Sequence, residues 1–279
     1  MSEKSLFGLD EKIILVTGAS SGIGKEIAIL CSKMGASLII TGRNAGRLEE
    51  TKKECSSNKV TIISADLVSE QSIEELVAKL PVLDGVVHCA GVFNATLCKQ
   101  IKQSDVETMF NINFIGPVIL QASLLRNKKL AKGSSIVFMA SRAAESPAIG
   151  NALYSASKGA IISYSKCLGL ELAPRKIRVN CVAPAMVWTD LIITVGMDKV
   201  YHEEAEKKYP LGRYGKTEDI APLVIYLLSD ESSWMTGSVI DITGGRGYFN
   251  KIKVLWSYYE RSLYKVYRIL LTRKGLYKR

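Results

Sequence analysis

Residues 17–24 read Thr-Gly-Ala-Ser-Ser-Gly-Ile-Gly and join the apolar run Lys12–Val16 to the helically spaced segment Ile23–Met34. A strand that leads through glycines into a helix presents free backbone N–H groups and a partial positive charge, which together favour pyrophosphate binding. The residues expected at the phosphates are Gly18, Ser20, Ser21, Gly22, Ile23 and Gly24. Ile23 is also expected to pack into the core. A tight turn without a ligand remains the alternative interpretation.

Short apolar runs alternate with longer segments of helical spacing over residues 1–245. The runs are Lys12–Val16, Ser37–Ile40, Val60–Ile63, Leu83–His88, Ser135–Met139, Ile177–Cys181 and Ser238–Ile242. The helical segments are Ile23–Met34, Ser72–Leu80, Ser104–Leu125, Ala152–Leu172 and Thr217–Leu228. Strict alternation predicts βαβ units and a parallel sheet covered on both faces. The predicted fold class is therefore α/β, with one doubly wound parallel sheet in a single Rossmann-type domain over residues 1–245.

Charge is concentrated at the end of the chain. The 279 residues contain 37 Lys+Arg and 27 Asp+Glu, a net charge of +10. Residues 246–279 hold ten of the basic residues and one acid, Glu260, so this basic tail carries +9 and residues 1–245 carry +1. A domain that is nearly neutral is not expected to bind nucleic acid.

Cysteine and histidine usage bears on metals and on the cellular compartment. The six cysteines form no CxxC pair and there are two histidines, so we expect no metal site and no disulfide framework. The first residues do not resemble a secretory signal, and no run of about 18 apolar residues is evident. A cytoplasmic protein is predicted.

The tail has an amphipathic pattern over residues 251–272. Apolar side chains such as Leu255, Trp256 and Leu263 recur near helical period, and basic side chains such as Arg261 and Lys265 fall opposite them. This pattern is typical of a helix that lies in a membrane interface. Packing on the domain, packing on another subunit and binding to an acidic carrier protein remain alternatives.

The spacing G-x3-G-x-G of the turn differs from the G-x-G-x-x-G of other dinucleotide-binding turns. Residues 17–24 resemble the TGxxxGxG motif of the short-chain dehydrogenase/reductase family, and further motifs extend the resemblance over about residues 8–245. The resemblance implies a nicotinamide dinucleotide cofactor and hydride transfer. It also implies a homo-oligomer, a dimer or tetramer, formed through the helices near 104–125 and 152–172 and the last strand.

Tyr154 and Lys158 are four residues apart, so on a helix their side chains project from one face. Their position after Ser141, together with Asn113, resembles the catalytic group of the family. The resemblance implies that Tyr154 is the general acid in reduction and that Lys158 binds the nicotinamide ribose. It further implies that Ser141 donates to the substrate oxygen and that Asn113 holds a water that relays protons.

The chemistry fits these residue types. A nearby ammonium and the charge of the nicotinamide are expected to lower the pKa of Tyr154 from its ordinary value near 10. A turn-capping role for Ser141 and a buried structural role for Asn113 remain alternatives.

The end of the second predicted strand bears on cofactor choice. Gly42 stands where NAD-dependent enzymes place an acid for the ribose hydroxyls, and Arg43 and Asn44 follow it. A guanidinium without a neighbouring acid suits a 2′-phosphate, so NADP(H) is the predicted cofactor. A solvated surface role for Arg43 is the alternative.

Further cofactor contacts follow from the resemblance. They are Asp66, Leu67, Cys89, Ala90, Gly91, Pro184, Val187 and Thr189, with Tyr154 and Lys158. Cys89 replaces an asparagine of the family's NNAG segment, and we expect it to be a packing residue. Ala185 replaces a glycine, and it would be strained if that position needs a positive φ.

Substrate contacts are less specific in the sequence. Residues 190–212 are expected to form a lid over the site. Four side chains are expected to give an apolar pocket: Phe93, Ile149, Met186 and Trp188.

The predicted function is the NADPH-dependent reduction of a ketone or aldehyde. The TGASSGIG turn, the TGRN segment and the ending Thr236-Gly237…Gly244-Gly245 most resemble 3-oxoacyl-(acyl-carrier-protein) reductases, which favours a 3-oxoacyl thioester. A keto sugar or lipid-linked substrate at the inner face of a membrane, and a non-catalytic NADPH-binding sensor or scaffold, remain alternatives.

Overall fold

The computed structural model describes residues 6–190 and 199–246, and within them seven strands form one parallel sheet. The strands are β1 (Ile13–Thr17), β2 (Ser37–Thr41), β3 (Val60–Ile62), β4 (Leu83–His88), β5 (Leu130–Met139), β6 (Arg178–Pro184) and β7 (Val239–Ile242). Their order in the sheet is β3-β2-β1-β4-β5-β6-β7. The order reverses between β1 and β4, and ligands of such sheets bind outside the carboxyl ends of the strands at this reversal.

Helices cover both faces of the sheet. They are α1 (Gly22–Lys33), α2 (Ala45–Glu54), α3 (Glu70–Lys79), α4 (Gln103–Phe110), α5 (Gly116–Arg126), α6 (Ala152–Leu172), α7 (Lys199–Glu206) and α8 (Thr217–Leu228). One core cluster lies between the sheet and α1 and α8, and the other lies between the sheet and α3, α5 and α6. The predicted doubly wound α/β fold is confirmed.

β1 shows why the early strands have apolar residues at nearly every position. Ile14 and Val16 belong to one core cluster, whereas Leu15 between them belongs to the other, and all three are fully buried. A strand covered on both faces has no solvated side that would need polar residues.

The predicted helix over Ser104–Leu125 is wrong in detail. The chain forms α4 and α5, joined by a wider helical turn over Asn111–Ile115. Pro117 in the first turn of α5 has no N–H to donate to the carbonyl of Asn113 four residues before it. The regular α-helical ladder is therefore interrupted at Asn113, where a wider turn accommodates the chain.

Helix α2 and strand β5 also differ from the prediction. Helix α2 was not expected, because only Leu48 and Thr51 in it are buried and its apolar periodicity is weak. Strand β5 begins at Leu130 instead of Ser135. Its register against β4 shifts near Gly133, which adopts a positive φ of 83°. Because a glycine inside a segment is typical of a turn, the sequence did not predict a strand there.

The continuous helical stretch Gln103–Arg126 is long and apolar enough, by length and composition alone, to cross a bilayer. The sequence analysis predicted no membrane-spanning segment. Leu120 and Leu124 on this stretch are buried in the core, and α5 packs on α3 while α4 packs on α6. A core helix of a globular domain meets the same criterion.

Two predicted features lie partly or wholly outside the described residues. The amphipathic segment 251–272 and the rest of the tail beyond Arg246 are outside them, and so is the 191–198 part of the predicted lid. The boundary between the domain and the tail stays a prediction.

His88, the last residue of β4, lies 3% exposed in the core. Its ring stacks on Phe138 at 4.5 Å between centroids, and its Nε2 is 3.0 Å from Oε1 of Gln121. Burial lowers the pKa of His88 from 6.5 to about 4, so the ring is neutral at neutral pH.

We predict that His88 destabilises the fold in mild acid. Between pH 6.5 and about 4 the unfolded chain binds a proton on this residue that the folded chain does not, so stability falls as the pH falls. The loss amounts to about 2 kcal/mol at pH 5. Urea unfolding at pH 7 and pH 5 measures it, and His88→Asn should lose about 2 kcal/mol less than the wild type over this interval. Equal losses in the two proteins would contradict the prediction.

Candidate active site

The glycine turn between β1 and α1 is held by close backbone contacts. Gly18 has a φ of 67°, and a Cβ there would come 2.7 Å from the backbone of Ala90. A Cβ on Gly24 would lie 2.3 Å from the carbonyl oxygen of Gly18. No side chain caps the N-terminus of α1 at Ser21, so the first N–H groups of the helix have no side-chain acceptor there. This cradle fits the phosphates of a dinucleotide.

A cavity of about 800 Å³ opens at the carboxyl ends of the strands. Every residue predicted to contact the cofactor lines it: Gly18, Ser20, Ser21, Gly22, Ile23, Gly24, Arg43, Asn44, Asp66, Leu67, Cys89, Ala90, Gly91, Tyr154, Lys158, Pro184, Val187 and Thr189. Ile23 also packs against the core, as predicted. The glycine turn and helix α6 therefore face one common space.

Three of the four predicted catalytic residues meet in this cavity. Tyr154 and Ser141 both line it, and their side chains are close enough for Ser141 to favour the phenolate of Tyr154. The Nζ of Lys158 donates to the carbonyl of Met139 at 2.8 Å and lies 5.8 Å from the centroid of the Tyr154 ring. Phe93 packs edge-on against Tyr154, with 5.1 Å between ring centroids. The phenol, the serine and the ammonium thus form one group at the ends of β5 and α6.

Burial dominates the electrostatics of this group. It raises the pKa of Tyr154 above 10, although the hydrogen bond from Ser141 acts in the opposite direction. The expectation of a lowered pKa is therefore wrong for the protein's own groups, because desolvation of the phenolate outweighs the groups that favour it. Burial also lowers the pKa of Lys158 to about 8.

Ser141 is positioned by the short turn that follows it. Its Oγ accepts a hydrogen bond from the N–H of Ala143 at 3.1 Å, which is the turn-capping contact considered from sequence. Nη1 of Arg142 in the same turn bonds to Glu145 at 2.6 Å and to Asp241 on β7 at 2.8 Å. Ser141 therefore caps the turn and also lines the cavity. The cap uses only a lone pair of Oγ, so the hydroxyl proton can still be donated.

Asn113 does not join this group through its side chain. It is 1% exposed, and its amide bonds to the backbone of Val92 in both directions, at 2.8 and 2.9 Å. It also donates to Ser157 on α6 at 3.2 Å. These contacts fit the structural alternative, and Asn113 is absent from the lining of the cavity.

The opposite end of the cavity, beyond β2, carries arginines. A Cβ on Gly42 would lie 3.5 Å from Oγ of Ser20, so Ser20 borders this glycine. Arg43 is exposed here. Arg47 on α2 pairs with Asp190 at 3.4 Å, and both residues line the cavity.

Cys89 and Ala185, the two departures from the family pattern, are accommodated without strain. Burial raises the pKa of the Cys89 thiol to about 12, which suits a packing residue. The Oγ1 of Thr17 accepts hydrogen bonds from the N–H groups of Cys89 and Ala90, and the sequence analysis did not identify this contact. Ala185 is not among the residues with a positive φ.

The predicted apolar pocket is correct except at one position. Phe93, Ile149 and Met186 line the cavity, whereas Trp188 does not. Trp188 instead packs on His202 and Tyr214, and its Nε1 donates to Glu206.

The loop after β6, which contains Met186, is also held by Tyr209, a contact that the sequence analysis did not identify. The hydroxyl of Tyr209 accepts a hydrogen bond from the N–H of Met186 at 3.2 Å. The guanidinium of Arg246 lies over the Tyr209 ring, 4.9 Å from its centroid. Both residues line the cavity. Only the distance in sequence between residues 186, 209 and 246 hid their association.

Comparisons with known proteins agree with this geometry. A family model described as enoyl-(acyl carrier protein) reductase matches residues 18–246. The chain is 35% identical to a 3-oxoacyl-(acyl-carrier-protein) reductase of Rickettsia felis, over 86% of this chain and 98% of that one. It is 36% identical to an L-xylulose reductase of Caenorhabditis elegans, over 86% and 97%. A solved short-chain glucose/ribitol dehydrogenase from Brucella melitensis superposes with a TM-score of 0.80 at 33% identity, over 85% and 96%.

Proposed function

The chain belongs to the short-chain dehydrogenase/reductase family of oxidoreductases, and we propose that it reduces a ketone or aldehyde with NADPH. The observation that carries the proposal is the convergence of Tyr154, Ser141 and Lys158, whose ammonium lies 5.8 Å from the centroid of the phenol ring, in the cavity that the glycine turn borders. A module that only binds a dinucleotide has no need of these three groups together.

The glycine turn, Arg43 and Lys158 would hold the dinucleotide, which when bound supplies the hydride. Ser141 and Tyr154 would both donate hydrogen bonds to the carbonyl oxygen of the substrate and stabilise the negative charge that develops on it. Tyr154 then gives its proton to that oxygen. The phenol is protonated at neutral pH, as a proton donor must be, and burial makes its phenolate harder to form.

Lys158 would act on Tyr154 through its charge. The phenolate that remains after proton transfer is stabilised by an ammonium nearby, and Nζ lies 5.8 Å from the ring centroid. The amine is positioned by its bond to Met139, so its distance from the phenol is set by the packing of α6 on β5.

The relatives support two substrate classes. The 3-oxoacyl-(acyl-carrier-protein) reductase supports a 3-oxoacyl thioester as the first substrate to assay, in keeping with the sequence resemblance. The L-xylulose reductase supports a sugar ketone as the second candidate.

We also propose a cytoplasmic homo-oligomer. Ile115 at the start of α5 is 45% exposed and Leu170 on α6 is 79% exposed. Trp234, before β7, is 99% exposed. Apolar side chains on these elements support association of copies through them. Contact of the tail with a membrane remains a hypothesis on residues beyond those described.

Tyr154→Phe tests the reaction. The variant should fold and bind NADPH but lose turnover by about 10²- to 10⁴-fold, because no proton donor remains at the substrate oxygen. NADPH consumption is measured over a panel of 3-oxoacyl thioesters, keto sugars, quinones and small ketones. Tyr164→Phe is the matched control, since Tyr164 packs between Phe114 and Phe138 and does not line the cavity. Unchanged turnover in Tyr154→Phe would refute the mechanism.

Arg43→Gln tests the cofactor. Removal of the guanidinium from the 2′-phosphate should raise the KM for NADPH by about ten- to hundredfold, because a charge-assisted hydrogen bond is lost. The KM for NADH serves as the internal control and should change little. Equal efficiency of the wild-type enzyme with NADH would reject the choice of NADPH.

Lys158 sets the alkaline limit of activity. Its pKa of about 8 means that the ammonium loses its charge as the pH rises through that value, while the Tyr154 phenol stays protonated. The kcat/KM for reduction should therefore decline above about pH 8. A plot of kcat/KM against pH measures this decline. Lys158→Arg keeps the charge, and any activity it retains should be level between pH 8 and 10. A wild-type profile that is level over that interval would contradict this role.

A further inference from the structure

We propose that Arg246 binds an anionic group of the substrate, a carboxylate or a phosphate, at the end of the cavity farthest from Arg43. The inference rests on the proposed function and adds a requirement on the substrate. It is carried by the placement of Arg246, by the charges that line the cavity, and by the order of the strands.

A tight turn after β7, formed by Gly244 and Gly245, directs Arg246 into the cavity. Gly244 and Gly245 have φ values of 57° and 85°, and the N–H of Arg246 closes the turn on the carbonyl of Thr243 at 3.1 Å. A Cβ on Gly245 would lie 2.8 Å from Pro210. After β7 the chain therefore reverses, and the guanidinium comes to lie over Tyr209, 4.9 Å from the ring centroid.

Tyr209 is a suitable platform for this guanidinium. Its hydroxyl is engaged by the N–H of Met186, and its side chain is 3% exposed, so the ring is held in place. The Arg246 side chain is also close enough to act on the Tyr209 hydroxyl, and a guanidinium stacked on an aromatic face keeps its remaining N–H donors free in its plane. Those donors form the planar fork that matches a carboxylate or a phosphate.

Most of the other guanidiniums that line the cavity are neutralised. Arg47 pairs with Asp190, and Arg142 pairs with Asp241 and Glu145. In the described part of the chain, no carboxylate pairs with Arg43 or with Arg246. The acids that line the cavity are Asp66 and Asp190. Asp190 is already paired with Arg47, and the carboxylate of Asp66 accepts the N–H of Val68.

The strand order separates these two guanidiniums. Arg43 follows β2 and Arg246 follows β7, and the glycine turn and Ser141 follow β1 and β5 between them. Neighbouring strands are about 4.8 Å apart, so β7 is roughly 10 Å from β5 and roughly 24 Å from β2. Arg43 is therefore placed for the cofactor, and Arg246 is placed on the substrate side of the catalytic group.

The chemistry that fits is a carbonyl compound with an anionic group several bonds from the reacting carbon. An oxo acid carries a carboxylate there, and a coenzyme A thioester carries phosphates. The two sources present the same anion to Arg246, and the assay includes both.

The test compares charged and neutral forms of the same ketone. The substrates are 4-oxopentanoate, 5-oxohexanoate and 6-oxoheptanoate, each with its methyl ester, and acetoacetyl-coenzyme A with acetoacetyl-N-acetylcysteamine. In the wild type at least one charged form should have the lower KM. Arg246→Gln should raise that KM by about ten- to hundredfold and leave the KM of the neutral form unchanged. Arg246→Lys should recover part of the loss, because it restores charge without the planar fork.

Arg126→Gln is the matched control. Arg126 is the exposed last residue of α5, where it pairs with Glu74, and it does not line the cavity. The substitution therefore removes the same charge at a distance from the cavity. Its effect on either form should be small. Equal KM values for charged and neutral forms in the wild type, or equal losses in Arg246→Gln and Arg126→Gln, would overturn the proposal.

A binding measurement separates this proposal from the proposed function. Adipate has no ketone, and its titration into the enzyme with NADP⁺ is followed by calorimetry. Weaker binding to Arg246→Gln by tenfold or more supports the anion site even if no substrate in the panel is reduced. Absence of binding to the wild type, or equal binding to the two proteins, refutes it even if neutral ketones are reduced.

Discussion

The burial of the Lys158 ammonium is the constraint on which the proposed catalytic group depends. Burial lowers its pKa from 10.5 to about 8, which corresponds to about 3 kcal/mol against the charged form. The carbonyl of Met139 offsets part of this by accepting one N–H at 2.8 Å. The same bond ties α6, which carries Tyr154, to the end of β5, which leads to Ser141. The contact that accommodates the charge therefore also brings the phenol to the serine hydroxyl.

The parts of the fold that depend on local pattern could be predicted from the sequence. β1 is apolar at nearly every position because both of its faces are buried, and Gly18 is a glycine because a Cβ would meet Ala90 at 2.7 Å. Helix α2 could not be predicted in this way. Only Leu48 and Thr51 are buried in it, and its start depends on a hydrogen bond from the Arg47 N–H to the side chain of Asn44.

For the candidate site, spacing predicts which residues line the cavity and does not predict what each one contacts. The carboxyl ends of parallel strands meet at one edge, so residues after β1, β2, β4, β5 and β6 had to gather there. The Asn113 amide turns to Val92, a contact between separate segments that spacing does not reveal, and burial decides the direction of the Tyr154 pKa. Tyr209 and Arg246 escaped detection because their association exists only in three dimensions.

Charge along the cavity follows the order of the strands in the sheet. Arg43 after β2 and Arg246 after β7 are far apart in space because the sheet separates them, although both belong to turns at the same edge. With one unneutralised guanidinium at each end and the hydroxyl groups of Ser141 and Tyr154 between them, a molecule with one anionic group has a single favourable direction in the proposed substrate part of the cavity. Its anion lies towards β7 and its carbonyl towards Ser141 after β5. A fixed direction presents one face of the carbonyl to the cofactor, so the same electrostatic arrangement that selects the substrate would also select the stereochemistry of the alcohol.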